Sequence, residues 1–151
     1  MSTLREKIQE DLKNAMRARD EFSVITLRTL FSSIKNAEIE KKKRDEGLSD
    51  AEIVEVFARE LKQRNDSVAD FTKGDRSDLV KKTQREIDIL RAYMPETLTE
   101  TKIQDLIRAA LIKTKAKSMS DFGAVMKEIA PQIRGRADGS YVAELVKEKL
   151  Q

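Results

Sequence analysis

The sequence contains neither cysteine nor histidine among its 151 residues. Without cysteine it can form no disulfide and no thiolate metal site, and we expect it to work in a reducing cytoplasm. Without histidine it lacks the usual general base near neutral pH, the Ser-His-Asp triad and the common zinc sites. We therefore expect neither a metal ion nor a cofactor, and any acid–base chemistry would depend on Asp, Glu, Lys or Tyr.

Glycine, proline and aromatic residues are scarce too, with five glycines, two prolines and 5% aromatic residues. Such a chain is typical of an all-α protein, because β-proteins use more turn residues and more β-branched runs. The apolar runs are short, so no transmembrane helix is expected, and the charges at 5–7 argue against a signal peptide. The phosphate-binding patterns GxxxxGK[ST] and GxGxxG are missing. The sequence thus argues against a self-sufficient enzyme, although it does not exclude one.

Charged residues make up 38% of the chain, with 30 basic and 27 acidic residues and a net charge of +3. Neither half is a polycation, so contact with nucleic acid would need a local basic patch. Apolar residues recur at helical spacing along almost the whole chain. The helices predicted from this spacing cover residues 3–18, 20–46, 49–74, 77–93, 99–111, 122–130 and 138–150.

The predicted helices are long before Tyr93 and Pro95, and short after them. We therefore predict a helical N-terminal domain with long helices, residues 1–95, and a small three-helix C-terminal domain, residues 96–151. Polar residues suited to capping precede five of the helices. These predicted caps are Asp20, Ser49 with Glu52, Ser77, Thr99 and Asp138.

One charged residue falls within the apolar stripe of the third predicted helix. Arg64 projects into the middle of that stripe, and a buried arginine needs a carboxylate partner. Glu86 borders the stripe of the next helix. We therefore predict a structural ion pair between Arg64 and Glu86.

The connector between the last two predicted helices is basic. Pro131 is predicted to end the first of these helices, and Asp138 to cap the second. Between them, Gly135 and Gly139 bracket Arg136, and Arg134 comes just before. Arginines beside a helix N-terminus can bind an anion such as phosphate. An ordinary helix–helix turn with solvated arginines explains the same residues, and the sequence leaves both interpretations open.

Several short segments, taken together in their order and spacing, resemble the GatB/YqeY family, and the closest counterpart is a free-standing bacterial YqeY-type protein. Phe122 departs from the pattern, since methionine is common there, but it keeps a large apolar side chain. The matching segments are Leu27-Arg28, Ile34-Lys35-Asn36-Ala37-Glu38, Lys62-Gln63-Arg64-Asn65-Asp66-Ser67, Tyr93-Met94-Pro95-Glu96, Phe122-Gly123, Val125-Met126-Lys127 and Gly135-Arg136-Ala137-Asp138-Gly139.

The resemblance implies a two-domain, all-helical protein. A similar domain forms the tail of the B subunit of glutamine-dependent tRNA amidotransferases, where it contacts tRNA while other domains carry the chemistry. The family's label is a carbon–nitrogen ligase with glutamine as amido donor. For this chain we take that label to reflect its relation to the amidotransferase, not an activity of its own. The resemblance also implies residues with a structural role, which are Tyr93, Pro95, Gly123, Gly135 and Gly139.

We therefore expect an accessory module that binds tRNA or another structured RNA, with no DNA or membrane partner. An adaptor that docks on an amidotransferase or a translation factor without touching RNA is the alternative. An enzyme acting through Glu128 or Asp138 is a third possibility, although solvation and capping explain those residues more simply. The candidate phosphate contacts are Lys127, Arg134 and Arg136, with Lys113, Lys115 and Lys117 as a second patch.

Overall fold

A computed structural model describes residues 3–151, and all regular structure in this range is helical. The predicted all-α class is confirmed. Among the described residues, no helix is both long enough and apolar enough to cross a membrane. The helices are α1 (Thr3–Arg17), α2 (Glu21–Glu40), α3 (Asp50–Lys73), α4 (Ser77–Arg91), α5 (Glu100–Thr114), α6 (Phe122–Ile133) and α7 (Gly139–Leu150), with a 3-10 turn at Met119–Asp121.

The chain forms two compact units that divide between Met94 and Pro95. In the first unit, helices α1 to α4 surround a core in which Ile34, Ile53 and Phe57 are fully buried. In the second, α6 packs against both α5 and α7. Its core includes the fully buried side chains Val125, Ile129, Val142 and Val146. That each unit is a domain able to fold alone stays a prediction.

Most of the predicted helix caps are present. They could be predicted from the sequence because capping depends on contacts within one turn. Ser49 and Glu52 form the reciprocal capping box of α3. Ser77 is not a cap, since it is already the first residue of α4 and Arg76 precedes it without a side-chain cap. The other confirmed caps are Asp20, Thr99 and Asp138, each of which accepts a hydrogen bond from a backbone N–H in the first turn.

Three predicted helix ends were wrong, and one of them is that of α5, which runs to Thr114 rather than to residue 111. Helix α2 stops at Glu40 rather than near residue 46, because Lys42 adopts a left-handed conformation with φ of 57°. The backbone N–H of Lys43 then donates to the carbonyl of Glu38 at 2.7 Å, which closes the helix end. Helix α6 runs past Pro131 to Ile133. Since Pro131 lies in the last turn, it removes one backbone donor without breaking the helix.

The basic run after α2 is bound to the start of α3. Glu52 accepts hydrogen bonds from the backbone N–H of Ser49 at 3.1 Å and from Lys43 Nζ at 3.0 Å. The Ser49 N–H, followed by the Lys43 ammonium, lowers the pKa of Glu52 from 4.5 to about 2. These contacts stabilise the ionised carboxylate and therefore the folded state in which it forms them.

This lowered pKa predicts a loss of stability in acid that depends on Glu52. A folded-state pKa below the unfolded value contributes stability above about pH 4.5, and that contribution disappears as the pH falls toward 2. We expect Glu52→Gln to be less stable than the wild type at pH 6, and the difference to shrink by pH 2.5. Urea denaturation across this range measures it. Glu40→Gln, at an exposed position of α2, is the control. A constant difference between Glu52→Gln and the wild type would contradict the prediction.

Candidate functional site

The exposed face of α6 brings two of the predicted basic residues together. Gly123, Lys127, Pro131 and Arg134 follow one another at helical spacing, and all four are exposed. Lys127 and Arg134 lie two turns apart, or about 10 Å along the helix axis. A Cβ atom added at Gly123 would have no neighbour within 4 Å, so the backbone there is open to a partner. This segment therefore presents two cations and accessible backbone on one surface.

Helix α6 itself contributes little negative charge to this face. The only acidic residue within α6 is Glu128, and its Oε1 lies 2.7 Å from Lys113 Nζ at the end of α5. This ion pair joins α5 to α6 next to Lys127. Lys113 is thereby engaged with a carboxylate, although its side chain is 71% exposed. Among the six candidate cations, Lys113 is therefore held by a carboxylate of its own unit.

The remaining lysines of the second patch lie in the connection after α5. Lys115 and Lys117 are both exposed, and Lys115 has a left-handed backbone with φ of 54°. The backbone N–H of Lys117 donates to Asp121 Oδ2 at 2.8 Å. This bond and a second from the Ser118 N–H lower the pKa of Asp121. Asp121 thus fixes the backbone of the connection, which leaves the lysine side chains at the surface.

Arg136 has a structural position in the connector between α6 and α7. Its side chain is half-buried, and its Nε donates to the carbonyl of Glu96 at 3.2 Å. Its own carbonyl accepts from the backbone N–H of Leu98 at 2.8 Å. Gly135 beside it has φ of 73°, a conformation that glycine adopts without a steric penalty. Arg136 therefore holds the connector against the segment that precedes α5.

The N-terminus of α7 is occupied by a carboxylate. Asp138 accepts a hydrogen bond from the backbone N–H of Ser140 at 3.0 Å. A negative charge at this position satisfies the helix N-terminus and repels an incoming anion. The geometry therefore favours an ordinary helix–helix turn at Gly135–Gly139 over an anion site. The neighbouring face of α6 is the better candidate for phosphate contact.

A second polar site lies in a groove between α3 and α4, with a volume of about 360 Å³. The predicted ion pair is present there, since Arg64 Nε lies 3.4 Å from Glu86 Oε2. Glu60 Oε2 also accepts from Arg64 Nη1 at 2.5 Å, and Ser33 Oγ of α2 donates to Glu60 Oε1 at 2.8 Å. The sequence analysis missed Glu60, although its position four residues before Arg64 favours such a pair on a helix. These contacts tie three helices together.

A buried ion pair between α1 and α2 was also missed. Glu38 is only 5% exposed and pairs with Arg5, whose guanidinium lies 5.0 Å from the centre of the Phe31 ring. The sequence offered one indication of it, since Glu38 directly follows Ala37 at the edge of the α2 apolar stripe. Within the described residues, acidic side chains form no group of three arranged to hold a metal ion. The main polar contacts in this unit described above are ion pairs between helices and within α3.

Tyr93 closes the core of the first unit. It is 7% exposed, and its ring meets Phe57 edge-on with the centroids 6.1 Å apart. Its hydroxyl donates to Asp11 Oδ2 at 2.5 Å. Burial, followed by this hydrogen bond to a carboxylate, raises the pKa of Tyr93. The side chain therefore remains neutral and fixes the end of the unit beside α1.

Comparison with known proteins identifies relatives of most of this chain. Three of them carry the name "Altered inheritance of mitochondria protein 41, mitochondrial". The relative from Pyrenophora tritici-repentis is 32% identical over 94% of this chain and 78% of its own length. The Kluyveromyces lactis relative is 43% identical over 57% of this chain and 45% of its own length. The Saccharomyces cerevisiae relative (strain YJM789) is 34% identical over 72% of this chain and 60% of its own length.

These relatives correct the expected location. They are named as mitochondrial proteins, which contradicts the cytoplasmic prediction and points to mitochondria instead. The prediction failed because the absence of cysteine is compatible with many compartments and therefore identifies none. The relatives are also eukaryotic, whereas the resemblance suggested a bacterial counterpart.

The family assignment itself follows from the length of the match. The sequence profile of the family described as Yqey-like protein matches residues 5–150, which include both compact units. The Pyrenophora relative independently covers almost the same extent. The chain therefore belongs to the YqeY-like family.

Proposed function

We propose that this protein is an accessory module that binds tRNA or another structured RNA through its C-terminal unit and has no catalytic activity alone. The observation that carries the proposal is the exposed face of α6, where Lys127 and Arg134 lie two turns apart. The one acidic residue of that helix is already paired with Lys113. Cations on such a surface can contact phosphates of the RNA backbone.

The aromatic residues support recognition of folded RNA rather than of unpaired bases. Phe122 is half-buried, and Lys147 Nζ lies 5.4 Å from the centre of its ring. The Tyr141 hydroxyl donates to Glu100 Oε2 at 2.8 Å, which ties this ring to α5. Phe122 is thus partly covered, and Tyr141, although 41% exposed, is held through its hydroxyl and is not free to turn toward a base as a stacking platform. Double-stranded RNA is recognised mainly through its shape and backbone, which requires no such platform.

The resemblance to the tail of the amidotransferase B subunit supports tRNA as the RNA in question. In this proposal the chain contacts the body of the tRNA, and any amide transfer belongs to a separate enzyme, whose subunits are candidate partners. The matches cover only 45% and 60% of the length of two of the relatives. Any activity of those longer proteins is therefore carried to this chain only as a proposal.

The test compares two charge-reversal variants of the full chain. We expect Lys127→Glu/Arg134→Glu to weaken tRNA binding about 10-fold or more at low salt, because two phosphate contacts become repulsive. The slope of log affinity against log salt should fall by about 2. Fluorescence anisotropy with labelled tRNA measures both quantities. Arg136 is left intact, since it holds the connector to Glu96.

The matched control is Lys13→Glu/Lys81→Glu, which makes the same change in net charge at exposed positions of α1 and α4. We expect it to bind tRNA nearly as well as the wild type. A DNA duplex of the same sequence as one tRNA stem serves as a second ligand. Failure of the wild type to bind tRNA at low salt, or equal losses in the two variants, would overturn the proposed interface.

A further inference from the structure

The groove between α3 and α4, called the α3–α4 groove below, contains a buried hydroxyl that the fold does not use. Thr83 lines the groove and is only 6% exposed, yet its hydroxyl has no hydrogen-bond partner among residues 3–151. Thr29 and Thr72, by contrast, donate their hydroxyls to the carbonyl four residues earlier. A buried polar group without a partner is unfavourable unless water or a ligand supplies one. The hydroxyl of Thr83 therefore makes the groove a candidate binding site.

One cation and one carboxylate oxygen of the groove are also available to a ligand. Lys82 is exposed and forms no ion pair with any residue that the structure describes. Glu86 is 24% exposed, and its Oε2 approaches Arg64 Nε at 3.4 Å. Its other oxygen accepts no hydrogen bond within the described part of the chain. Glu60 differs, because Ser33 donates to one of its oxygens and Arg64 to the other.

The order of these groups along α4 restricts the ligand. Leu79 lies one turn before Thr83, and Glu86 follows Lys82 by four residues, or about 6 Å along the helix axis. Leu79 and Phe71 are half-buried and line the groove close to the turn that joins the two helices. Successive turns of α4 thus present an apolar group, then a cation with a hydroxyl, then a carboxylate.

The charge of the groove is balanced, which disfavours a ligand with a single charge. The lining contains two acidic and two basic side chains. Outside the lining, exposed charges of both signs occur on each helix, as in Asp66, Asp70 and Lys73 of α3 and Asp78, Lys81 and Arg85 of α4. An anion or a cation would therefore meet about as much repulsion as attraction. A zwitterion can place each of its charges beside the opposite one.

We infer that the α3–α4 groove binds a free α-amino acid with an apolar side chain. The carboxylate of the ligand accepts from Lys82 and Thr83, and its ammonium donates to Glu86. Its side chain contacts Leu79 and Phe71. A neutral polar molecule would leave the ammonium and the carboxylate of the groove without charged partners. This site belongs to the first unit and does not depend on the proposed RNA contact.

The first experiment compares L-leucine with three truncated analogues, using amide chemical shifts of the full chain. Isocaproate lacks the ammonium, isoamylamine lacks the carboxylate, and glycine lacks the side chain. We expect L-leucine to shift amides of α3 and α4 with a dissociation constant of about 1 mM, as befits a small ligand in an open groove. Each of the two singly charged analogues should bind about 10-fold more weakly, because one charged hydrogen-bonding group is lost. Glycine should also bind more weakly than L-leucine.

The second experiment compares variants that keep the shape of the groove. Lys82→Met, Thr83→Val and Glu86→Gln should each weaken binding of L-leucine. Lys81→Met is the matched control, since it removes an exposed cation next to the groove without changing the lining. Thr83→Val should not lower the melting temperature, because its hydroxyl has no partner in the fold. Loss of ligand binding without loss of stability separates a binding role from a structural one.

Four results would overturn the inference. The first is the absence of shifts in α3 and α4 at L-leucine concentrations about 10-fold above the expected dissociation constant. The second is equal affinity for L-leucine and either singly charged analogue, since the groove would then bind a simple ion. The third is equal affinity for glycine, which would exclude the apolar contact. The fourth is a loss of L-leucine binding in Lys81→Met as large as that in Lys82→Met.

Discussion

Replacing Arg5 with alanine should lower the free energy of unfolding by about 3 kcal/mol or more, the typical cost of removing one partner of a buried ion pair. Its partner Glu38 is only 5% exposed, so the remaining carboxylate could not recover its hydration without disturbing α2. The substitution also removes the guanidinium that lies over the Phe31 ring. Urea denaturation at neutral pH measures the loss.

Two controls separate charge burial from other consequences of this substitution. Arg108→Ala removes a partner from an ion pair with Asp105 whose side chains are 71% and 62% exposed, and it should cost less than about 1 kcal/mol. Arg5→Met/Glu38→Leu removes both charges, and it should recover much of the loss, because an apolar pair needs no compensating charge. If Arg5→Ala lowers the free energy of unfolding no more than Arg108→Ala does, the Arg5–Glu38 pair contributes no more to stability than an exposed ion pair, and the prediction is wrong.

The second large effect is expected from removing both carboxylates that face Arg64. Glu60→Gln and Glu86→Gln should each cost about 1 kcal/mol, because the guanidinium keeps one carboxylate in either variant. The double variant should cost about 3 kcal/mol or more, since an arginine whose side chain is 13% exposed would then lack any carboxylate partner. A double-mutant cycle by urea denaturation gives the coupling energy.

Additive losses in that cycle would show that each carboxylate contributes independently and would contradict the shared role of Arg64. Ser33→Ala provides a reference for the third helix, since it removes only the hydroxyl that donates to Glu60. We expect this change to cost about 1 kcal/mol and to leave the charge pairing intact. A much larger loss would show that Ser33 holds Glu60 in position.

The parts of the fold that follow from local chemistry could be predicted from the sequence. The capping box of Ser49 and Glu52 involves residues three positions apart, and both were identified. The end of α2 was missed because lysine seldom adopts the left-handed conformation that Lys42 has. The effect of Pro131 was overestimated because the helix end lies only two residues beyond it.

The contacts that define the candidate sites could be predicted only in part. Arg64 and Glu86 were paired correctly, since each lies at an apolar stripe where a charge needs a partner. Arg5 and Glu38 were not, because the sequence does not show which residue of α1 approaches α2. Arg136 was grouped with Arg134 as a phosphate contact, and its hydrogen bond to Glu96 depends on a fold that brings residues 40 positions apart together.

The proline within α6 has a consequence for the rigidity of the proposed RNA-binding face. Pro131 has no N–H to donate to the carbonyl of Lys127, one turn earlier, so the last turn of α6 has one backbone hydrogen bond fewer than a helix end without proline. The end of the face that carries Arg134 is therefore held less firmly by the helix than the middle, where Lys127 lies.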